Sequence, residues 1–435
     1  MFELVDEIIR KSATWMWGFP MLGFLSVVGV YFTIRLKGLQ FRGFLKSAQL
    51  AHIYRAGTGE GNISPLQSLL SALGGVIGNG NLGGVATAIA VGGPGAVFWL
   101  WIASLVAMIL VYVETYIALL QRRKGADGTY SGGPMHYIEN LLGLRWLAVL
   151  FALAMGLKTL LATSTIQSNS IALAFNSAFD SPMLPICIGL SVLTLLVTIG
   201  GLSSIVRTLE KLTPIMVILY FGAAIVILAY SWRDLITVFQ LVLSSAFTTR
   251  GAAGGFAGAS VLMAIRYGVA RGFYSNEAGT GSSPIMYSTA RTDDPEKLAL
   301  IGMFGVVVDT LVGTLTAFVI LVTGVWTSGE TSTALTNSAF GSLLGESGGL
   351  FIFLTSFLFG YSTLIAWSFY GEQCFAYIWG SRVRTPYRWM FSIAVCFGFL
   401  EAELLWSWGD VLNGMTVLIN VLAITLLIRF VQTSR

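Results

Sequence analysis

The sequence contains few charged residues. Asp, Glu, Lys and Arg make up 11% of its 435 residues, while hydrophobic residues make up 55%. A soluble domain carries about 25% charged residues. The composition therefore excludes an ordinary soluble domain and predicts an all-α integral membrane protein whose interior consists of helices packed in lipid.

Cysteine and histidine are also scarce. The three cysteines, Cys187, Cys374 and Cys396, are scattered in apolar stretches, which argues against a disulfide framework and against a metal site. The two histidines, His52 and His136, lie in polar loops, which argues against a histidine-based zinc site or proton relay. The acidic start of the sequence lacks the basic residues of a cleavable signal peptide, so none is expected.

Long apolar segments occupy most of the chain. A membrane-spanning helix needs about 20 such residues. Eleven segments qualify, and the pattern divides into one leading helix followed by two sets of five. They cover residues 14–34, 68–91, 95–120, 145–177, 183–201, 212–231, 252–269, 298–325, 348–377, 389–405 and 409–429.

Loop charges predict the orientation of these spans, because Lys and Arg are enriched in cytoplasmic loops. If the loop 35–67 is cytoplasmic, twenty of the 25 Lys and Arg residues lie on its side, Arg266 and Arg271 among them, and four lie opposite. The remaining one, Lys158, lies within a span. We expect a multi-pass protein of the cell inner (plasma) membrane, with its N-terminus outside and its C-terminus cytoplasmic. The stretch 41–50 is expected to lie on the inner face as a basic amphipathic helix.

Two glycine-rich stretches interrupt apolar segments at corresponding places in the two sets of five. The first, 74–81, reads GGVIGNGN, and the second, 251–258, reads GAAGGFAG. An unwound membrane helix is tolerated only where it lines a cavity enclosed by protein. Paired breaks are therefore a pointer to the central site of a secondary transporter built from an inverted repeat. We expect an N-terminal unit at 1–67, a first repeat at 68–231 and a second repeat at 252–429.

The first break offers groups that suit a zwitterion and a cation. Backbone N–H groups of Asn79, Gly80 and Asn81 at the start of the outer half-helix can hold a carboxylate. Freed carbonyls of residues 74–77, Val76 among them, can hold a cation or an ammonium group. The alternative is that these glycines are small-residue contacts between helices.

The second break and a mid-span glutamine complete the predicted substrate pocket. Gly254 and Gly255 would supply carbonyls and Phe256 a wall, unless the stretch is a simple hinge. Gln167 lies deep in the span 145–177, where an amide needs partners, and it can donate to a carboxylate and accept from an ammonium group. The alternative is that it bonds a neighbouring helix.

Ionisable residues within spans are functional candidates by default. Asp309, followed by Thr310, could form a second cation site or carry a proton. Lys158 could stand in for a cation, or it could reach the membrane surface or pair with another group. Glu114 could pair with cytoplasmic arginines. Glu277, in the glycine-containing stretch after the second break, is predicted to be a cytoplasmic gate that pairs with an arginine, and a capped helix turn is the alternative.

Six stretches spread along the chain occur in a characteristic order. They are GNGNLGGVATA (78–88), GGPM (132–135), QSNSIA (167–172), GGFAG (254–258), RGFYSNEAG (271–279) and WSFYGE (367–372). Together they resemble the alanine or glycine:cation symporter family. This resemblance implies the LeuT-type inverted-repeat fold of five plus five helices after one extra helix, and sodium- or proton-coupled uptake of small amino acids. The chain departs from the family pattern at Asn79, where threonine is usual, at Thr280, where a leucine-like residue is usual, and at Lys158.

The resemblance also implies a sodium site and a pocket wall. By position, Trp367 would be the bulky wall that keeps the pocket small. The implied sodium ligands are the backbone oxygens of Gly74, Ile77 and Phe359 and the hydroxyls of Ser362 and Thr363. The alternative is that these two hydroxyls bond to carbonyls of their own helix.

Together these features predict a sodium-coupled symporter of small neutral amino acids such as alanine or glycine. Its expected partners are the amino acid, the sodium ion and lipid, with no organic cofactor and no nucleic acid. Proton coupling or another small solute is the alternative. A channel is less consistent with the singular, asymmetric binding groups. An intramembrane enzyme is disfavoured because no Ser–His pair, metal-ligand cluster or nucleotide loop accompanies the buried carboxylates.

Overall fold

The computed structural model describes residues 7, 9, 11–12, 15–125, 127–248, 261–345, 347–400 and 402–432. Nearly all of this part is helical, as the composition predicts, apart from one two-stranded antiparallel ribbon. Within the described residues, six helices are long and apolar enough to cross a membrane. These six cover Ala96–Leu120, Arg145–Phe179, Gly201–Tyr230, Pro295–Val322, Gly348–Trp379 and Trp406–Phe430.

The first half of the chain contains helices α1 to α11 and the ribbon. A π-helical stretch, Lys158–Thr163, joins α8 to α9 without a gap. The elements are α1 (Phe19–Arg35), α2 (Leu39–Arg42), α3 (Phe44–Ile53), α4 (Pro65–Val76), α5 (Asn79–Gly92), α6 (Ala96–Leu120), β1 (Arg123–Lys124), β2 (Tyr130–Ser131), α7 (Pro134–Leu142), α8 (Arg145–Leu157), α9 (Ser164–Phe179), α10 (Met183–Thr198) and α11 (Gly201–Tyr230).

The second half contains the remaining helices. Its described elements are α12 (Trp232–Phe247), α13 (Val261–Ser275), α14 (Ser282–Tyr287), α15 (Pro295–Val322), α16 (Ser332–Leu344), α17 (Ser347–Trp379), α18 (Arg384–Val395) and α19 (Ala402–Leu427).

The first predicted break appears as a gap between α4 and α5, which we call the first break (residues 74–81). α4 ends at Val76, and Ile77 and Gly78 have extended backbone before α5 begins at Asn79. The side chain of Asn81 caps the new helix, because its Oδ1 accepts the Gly78 N–H at 3.1 Å. A side chain three residues into the helix therefore stabilises the interruption at its start.

The second predicted break, 251–258, lies outside the described residues. The described chain instead shows an interruption between α13 and α14, which we call the 276–281 turn. Glu277, Gly279 and Gly281 have φ values of 51°, 79° and 78° in this turn. Left-handed conformations end a helix, and the turn is buried rather than exposed as a loop. The sequence pattern had assigned it to the cytoplasmic side.

Small residues hold the 276–281 turn deep inside the protein. α13 packs against α6, and a Cβ added at Gly272 would lie 2.7 Å from the Ala103 Cβ. Close helix approach of this kind requires a glycine. Asn420 of α19 also donates to the Gly279 carbonyl at 2.8 Å. The turn is thus fixed from two sides.

Three expectations about the spans need correction. The span 389–405 is shorter than predicted, because α18 ends at Val395, a 3₁₀ turn follows, and α19 begins at Ala402. α12 and α16 were not predicted, since counting long apolar runs misses helices with a polar face. Arg271 was placed on the inner side, but it lines a cavity together with Thr331 of the loop predicted to be outside.

Candidate functional site

A cavity of about 60 Å³ lies where the two interruptions face each other. The first break and the 276–281 turn line it, together with residues of the π-helical stretch and of α9, the middle of α17 and part of α19. Of the predicted substrate residues, the structure brings Val76, Gly80, Asn81, Gln167 and Trp367 to this cavity. Gly254, Gly255 and Phe256 lie outside the described residues.

Backbone groups of the first break are exposed to the cavity. The first N–H groups of a helix have no acceptor within it. The Gly78 N–H is bonded to Asn81 Oδ1, and the Asn81 N–H is bonded to the Gly78 carbonyl at 3.0 Å. The N–H groups of Asn79 and Gly80 are the ones that this arrangement leaves for a ligand. At a helix N-terminus they suit an anionic group such as a carboxylate.

Gln167 lines the central cavity and contacts Asn79. Asn79 Nδ2 donates to Gln167 Oε1 at 3.2 Å, and Asn79 Oδ1 accepts from Ser356 at 2.8 Å. Asn79 lines a larger neighbouring cavity and is not among the residues that line the central one. The Gln167 amide N lies near Gly78, 3.4 Å from where a Cβ would stand, so its donors reach the first break.

The predicted second cation group also lies next to the first break. Asn81 Nδ2 donates to Asp309 Oδ1 at 2.6 Å, and Ser275 donates to Asp309 Oδ2 at 2.8 Å. Asp309 is 1% exposed. Thr310 points elsewhere, to the Val306 carbonyl and to Asn276. Asn81 and Ser275 both donate to the Asp309 carboxylate, whose oxygens are ligands of the kind that a hard cation prefers.

The groups implied as sodium ligands gather behind the first break. The Thr363 hydroxyl lies 3.3 Å from the Gly74 carbonyl and 2.9 Å from the Phe359 carbonyl. Ser362 donates to the same Phe359 carbonyl at 2.9 Å, as the alternative of bonding within one helix anticipates. Ile77 is buried beside them. Low-charge oxygens of this kind suit sodium once the hydroxyls turn their oxygens to the ion.

Glu277, the predicted gate residue, lines the central cavity. Its Oε1 accepts from the Trp367 indole at 2.9 Å and its Oε2 accepts from Ser282 at 2.6 Å. In the described part of the chain no arginine lies within 4.0 Å of its carboxylate. The predicted arginine pair is therefore not formed in this structure, and the role of Glu277 as a gate stays a prediction. Trp367 also donates to the Gly75 carbonyl at 3.2 Å, so it does form a wall.

Lys158 lines the cavity from the π-helical stretch. Its Nζ donates to Asn413 Oδ1 at 2.7 Å and lies 4.1 Å from the centre of the Trp367 ring. The side chain is 7% exposed, so it does not extend to the membrane surface. Glu114, in turn, accepts from Asn420 at 2.8 Å rather than from a cytoplasmic arginine.

Sequence reasoning missed Trp406, Tyr274 and Asn413. Trp406 lines both the central cavity and a larger cavity of about 600 Å³, so it lies between them. Its ring centre lies 6.2 Å from that of Tyr274. Trp406 was overlooked because it falls between two predicted spans. Asn413 gave a usable signal, since a polar side chain within an apolar segment calls for a partner.

Comparison with known proteins places this architecture among transporters. The chain is 36% identical over 432 residues to the sodium/alanine symporter AgcS of Methanococcus maripaludis, covering 97% of this chain and 94% of that protein. It is 37% identical to the uncharacterized transporter YflA of Bacillus subtilis, with 98% and 91% covered. It is 34% identical to the probable sodium/glutamine symporter GlnT of Bacillus subtilis, with 100% and 91% covered.

A solved structure shares the fold alone. The manganese transporter of Eremococcus coleocola aligns with a TM-score of 0.50 at 13% identity, covering 84% of this chain and 79% of that one. The family model described as the sodium:alanine symporter family matches residues 2–434. The resemblance found in the sequence motifs is thereby confirmed, and the chain belongs to the sodium:alanine symporter family.

Proposed function

We propose that this protein is a sodium-coupled symporter of small neutral amino acids, alanine and glycine foremost, that works by alternating access. The observation that carries the proposal is the meeting of two helix interruptions at one cavity. Backbone groups freed by an interruption need a partner in the membrane interior. A bound zwitterion supplies that partner when the cavity is loaded.

The first break supplies the substrate contacts in this proposal. The carboxylate lies against the N–H groups of Asn79 and Gly80 and receives the Gln167 amide. The ammonium group lies toward the carbonyl side of the break, near Gly75 and Val76. Trp367 limits the length of the pocket. Gly254, Gly255 and Phe256 remain part of the proposed substrate site.

Sodium binding at Gly74, Ile77, Phe359, Ser362 and Thr363 is proposed to couple to the substrate. This ion group and the substrate contacts share the first break, so each stabilises the same arrangement of α4 and α5. A ligand shifts a conformational equilibrium only by its differential affinity for the two states. Asp309, with Asn81 and Ser275 beside it, is the proposed second cation or proton position.

The architecture proposed for transport is the inverted repeat. The leading unit 1–67 is followed by repeats at 68–231 and 252–429, with the N-terminus outside and the C-terminus cytoplasmic. The first break begins one repeat, and the helix ending at the 276–281 turn begins the other. Movement of one repeat against the other would then open the cavity to each side in turn.

Proton coupling is the alternative, and two buried carboxylates are candidate proton carriers. Asp309 and Glu277 are buried carboxylates beside the cavity, and either can carry a proton in place of a bound ion. One relative, 35% identical, is described as a putative sodium/proton-dependent alanine carrier. That description favours testing both ions.

Uptake by purified protein in liposomes tests the proposal. Labelled alanine and glycine are offered with an inward sodium gradient, with an inward proton gradient, or with neither. Saturable accumulation above the outside concentration with the sodium gradient is the expected result. Accumulation driven by protons alone supports the alternative. Downhill, unsaturable flux in every condition contradicts both and indicates a channel.

A further inference from the structure

A buried ammonium group and a buried carboxylate face the same part of the central cavity. Lys158 and Glu277 are 7% and 8% exposed, and both line the cavity. Both also contact Trp367: Lys158 Nζ lies 4.1 Å from the ring centre, and Glu277 Oε1 accepts from its indole N–H at 2.9 Å. One indole therefore holds a positive and a negative group close to each other.

The ammonium group of Lys158 has N–H donors that its bond to Asn413 does not use. An ammonium group carries three N–H donors, and Asn413 Oδ1 accepts one of them at 2.7 Å. In the part of the chain that the structure describes, no carboxylate oxygen lies within 4.0 Å of Nζ. Because a buried donor without an acceptor is costly, the cavity side of this ammonium group calls for an oxygen from a ligand or from water.

The carboxylate of Glu277 has lone pairs that its bonds to Trp367 and Ser282 do not use. Each carboxylate oxygen has two lone pairs, and Trp367 and Ser282 use one on each oxygen. These two bonds fix the orientation of the carboxylate, so the spare lone pairs stay aimed in constant directions. The carboxylate can accept an N–H from a ligand but has no proton of its own to donate while ionised.

We infer that Lys158 and Glu277 form a subsite for a side-chain carboxamide, so that the cavity accepts an amino acid of the asparagine or glutamine type. The carboxamide oxygen accepts from Lys158, and its NH₂ group donates to Glu277. A side-chain carboxylate would satisfy Lys158 but meet Glu277 and the nearby Asp410. An alkyl side chain would satisfy neither group. This inference rests on the proposed amino-acid symport.

Uptake by the unaltered protein gives the first test. Labelled glutamine, asparagine, norleucine, glutamate and alanine are compared in liposomes under one sodium gradient. Norleucine has a side chain of similar length without the amide. We expect the kcat/KM for glutamine or asparagine to exceed those for norleucine and glutamate at least about tenfold, since sites built for hydrogen bonds reject analogues that lack them. Norleucine or glutamate transported as well as glutamine overturns the subsite.

Substitution gives the second test. In Lys158→Met, the ratio of glutamine to alanine uptake should fall at least about tenfold, because the oxygen loses its donor. Glu277→Gln should lower the same ratio. Lys297→Met is the matched control and should leave the ratio unchanged, because this side chain is 44% exposed at the start of α15, in an ion pair with Asp294. Where Lys158→Met does not fold, the unaltered protein's selectivity decides.

The two proposals fail in different ways. Sodium-driven uptake of alanine with no uptake of glutamine or asparagine overturns the carboxamide subsite and leaves the symporter standing. An unchanged ratio in a folded Lys158→Met protein does the same. Absence of coupled uptake for every amino acid overturns both proposals.

Discussion

Asn81 Nδ2 donates to Asp309 Oδ1 at 2.6 Å, and this bond joins the first break to the middle of α15. The same Asn81 side chain accepts the Gly78 N–H through its Oδ1. One amide therefore caps the interrupted helix and contacts a buried carboxylate. A change of charge at Asp309 acts directly on the geometry of the substrate contacts.

Asp309→Asn is expected to weaken cation dependence. The substitution removes the charge at a buried position that two donors hold, and bonds to charged groups contribute about 1.5–3 kcal/mol. The sodium concentration for half-maximal alanine uptake should rise roughly 10- to 100-fold. The exposed Asp180→Asn is the control. Sodium dependence that does not move, with alanine uptake intact, excludes a cation or proton role for Asp309.

Thr363→Ala is expected to raise the sodium requirement by a smaller factor. It removes the hydroxyl that lies between the Gly74 and Phe359 carbonyls, at a cost of about 1 kcal/mol. The half-saturating sodium concentration should rise roughly fivefold, and Thr363→Ser should restore it. Thr323→Ala removes a hydroxyl bonded only within its own helix and serves as control. Equal effects of the two alanine variants would show that the ion site lies elsewhere.

Gln167→Ala is expected to act on the amino acid more than on the ion. The variant removes amide donors near the first break and leaves Asn79 without its partner. The KM for alanine should rise about tenfold, the equivalent of about 1.4 kcal/mol, with a smaller change in sodium dependence. Gln167→Glu should raise the KM further, because its carboxylate repels the carboxylate of the substrate. Gln121→Ala, at the far end of α6, is the comparison, and a KM like that of Gln121→Ala would remove Gln167 from the site.

Glu372→Gln is expected to destabilise the fold. Glu372 is 2% exposed and accepts from Arg388 Nε at 2.6 Å and from Arg388 Nη2 at 2.9 Å, which ties α17 to α18. Removal of one partner from a buried pair costs about 3–5 kcal/mol. Thermal unfolding in detergent measures this loss. Glu7→Gln, in an exposed pair with Lys11, should change little, and a similar midpoint for both variants would contradict the expectation.

His136 is expected to make the protein sensitive to acid. Burial in α7 lowers the pKa of His136 to about 4, below its value in an unfolded chain of about 6.5. The unfolded state therefore takes up a proton first, and stability falls as the pH drops from about 6.5 to about 4, by at most about 3 kcal/mol. His136→Asn should flatten this part of the unfolding curve against pH, and the exposed His52→Asn should not. If stability falls with pH in the same way in the unaltered protein and in both variants, His136 is not the source of the acid sensitivity.

The sequence by itself determined the class of this protein and one half of its site. Low charge and long apolar runs predict helices in lipid, because a helix satisfies its backbone groups within one segment, whereas the strands of a membrane β-barrel are short and alternate in polarity. The first break is equally local: the glycines and asparagines of residues 74–81 predict the unwound backbone, and the structure adds that the Asn81 side chain caps it three residues after Gly78. The family motifs, being contiguous, were readable in the same way.

The tertiary structure decided which polar groups meet. Lys158 bonds Asn413, Asn81 bonds Asp309 and Glu277 bonds Trp367, and in each pair the partners are far apart in the sequence and lie on different elements. Helical periodicity gives the face on which a side chain lies but not which distant helix that face contacts. Glu277 was therefore expected at a cytoplasmic gate and is found in the cavity wall. Its position depends on how deeply Gly272 lets α13 pack against α6, a property of packing that no single segment records.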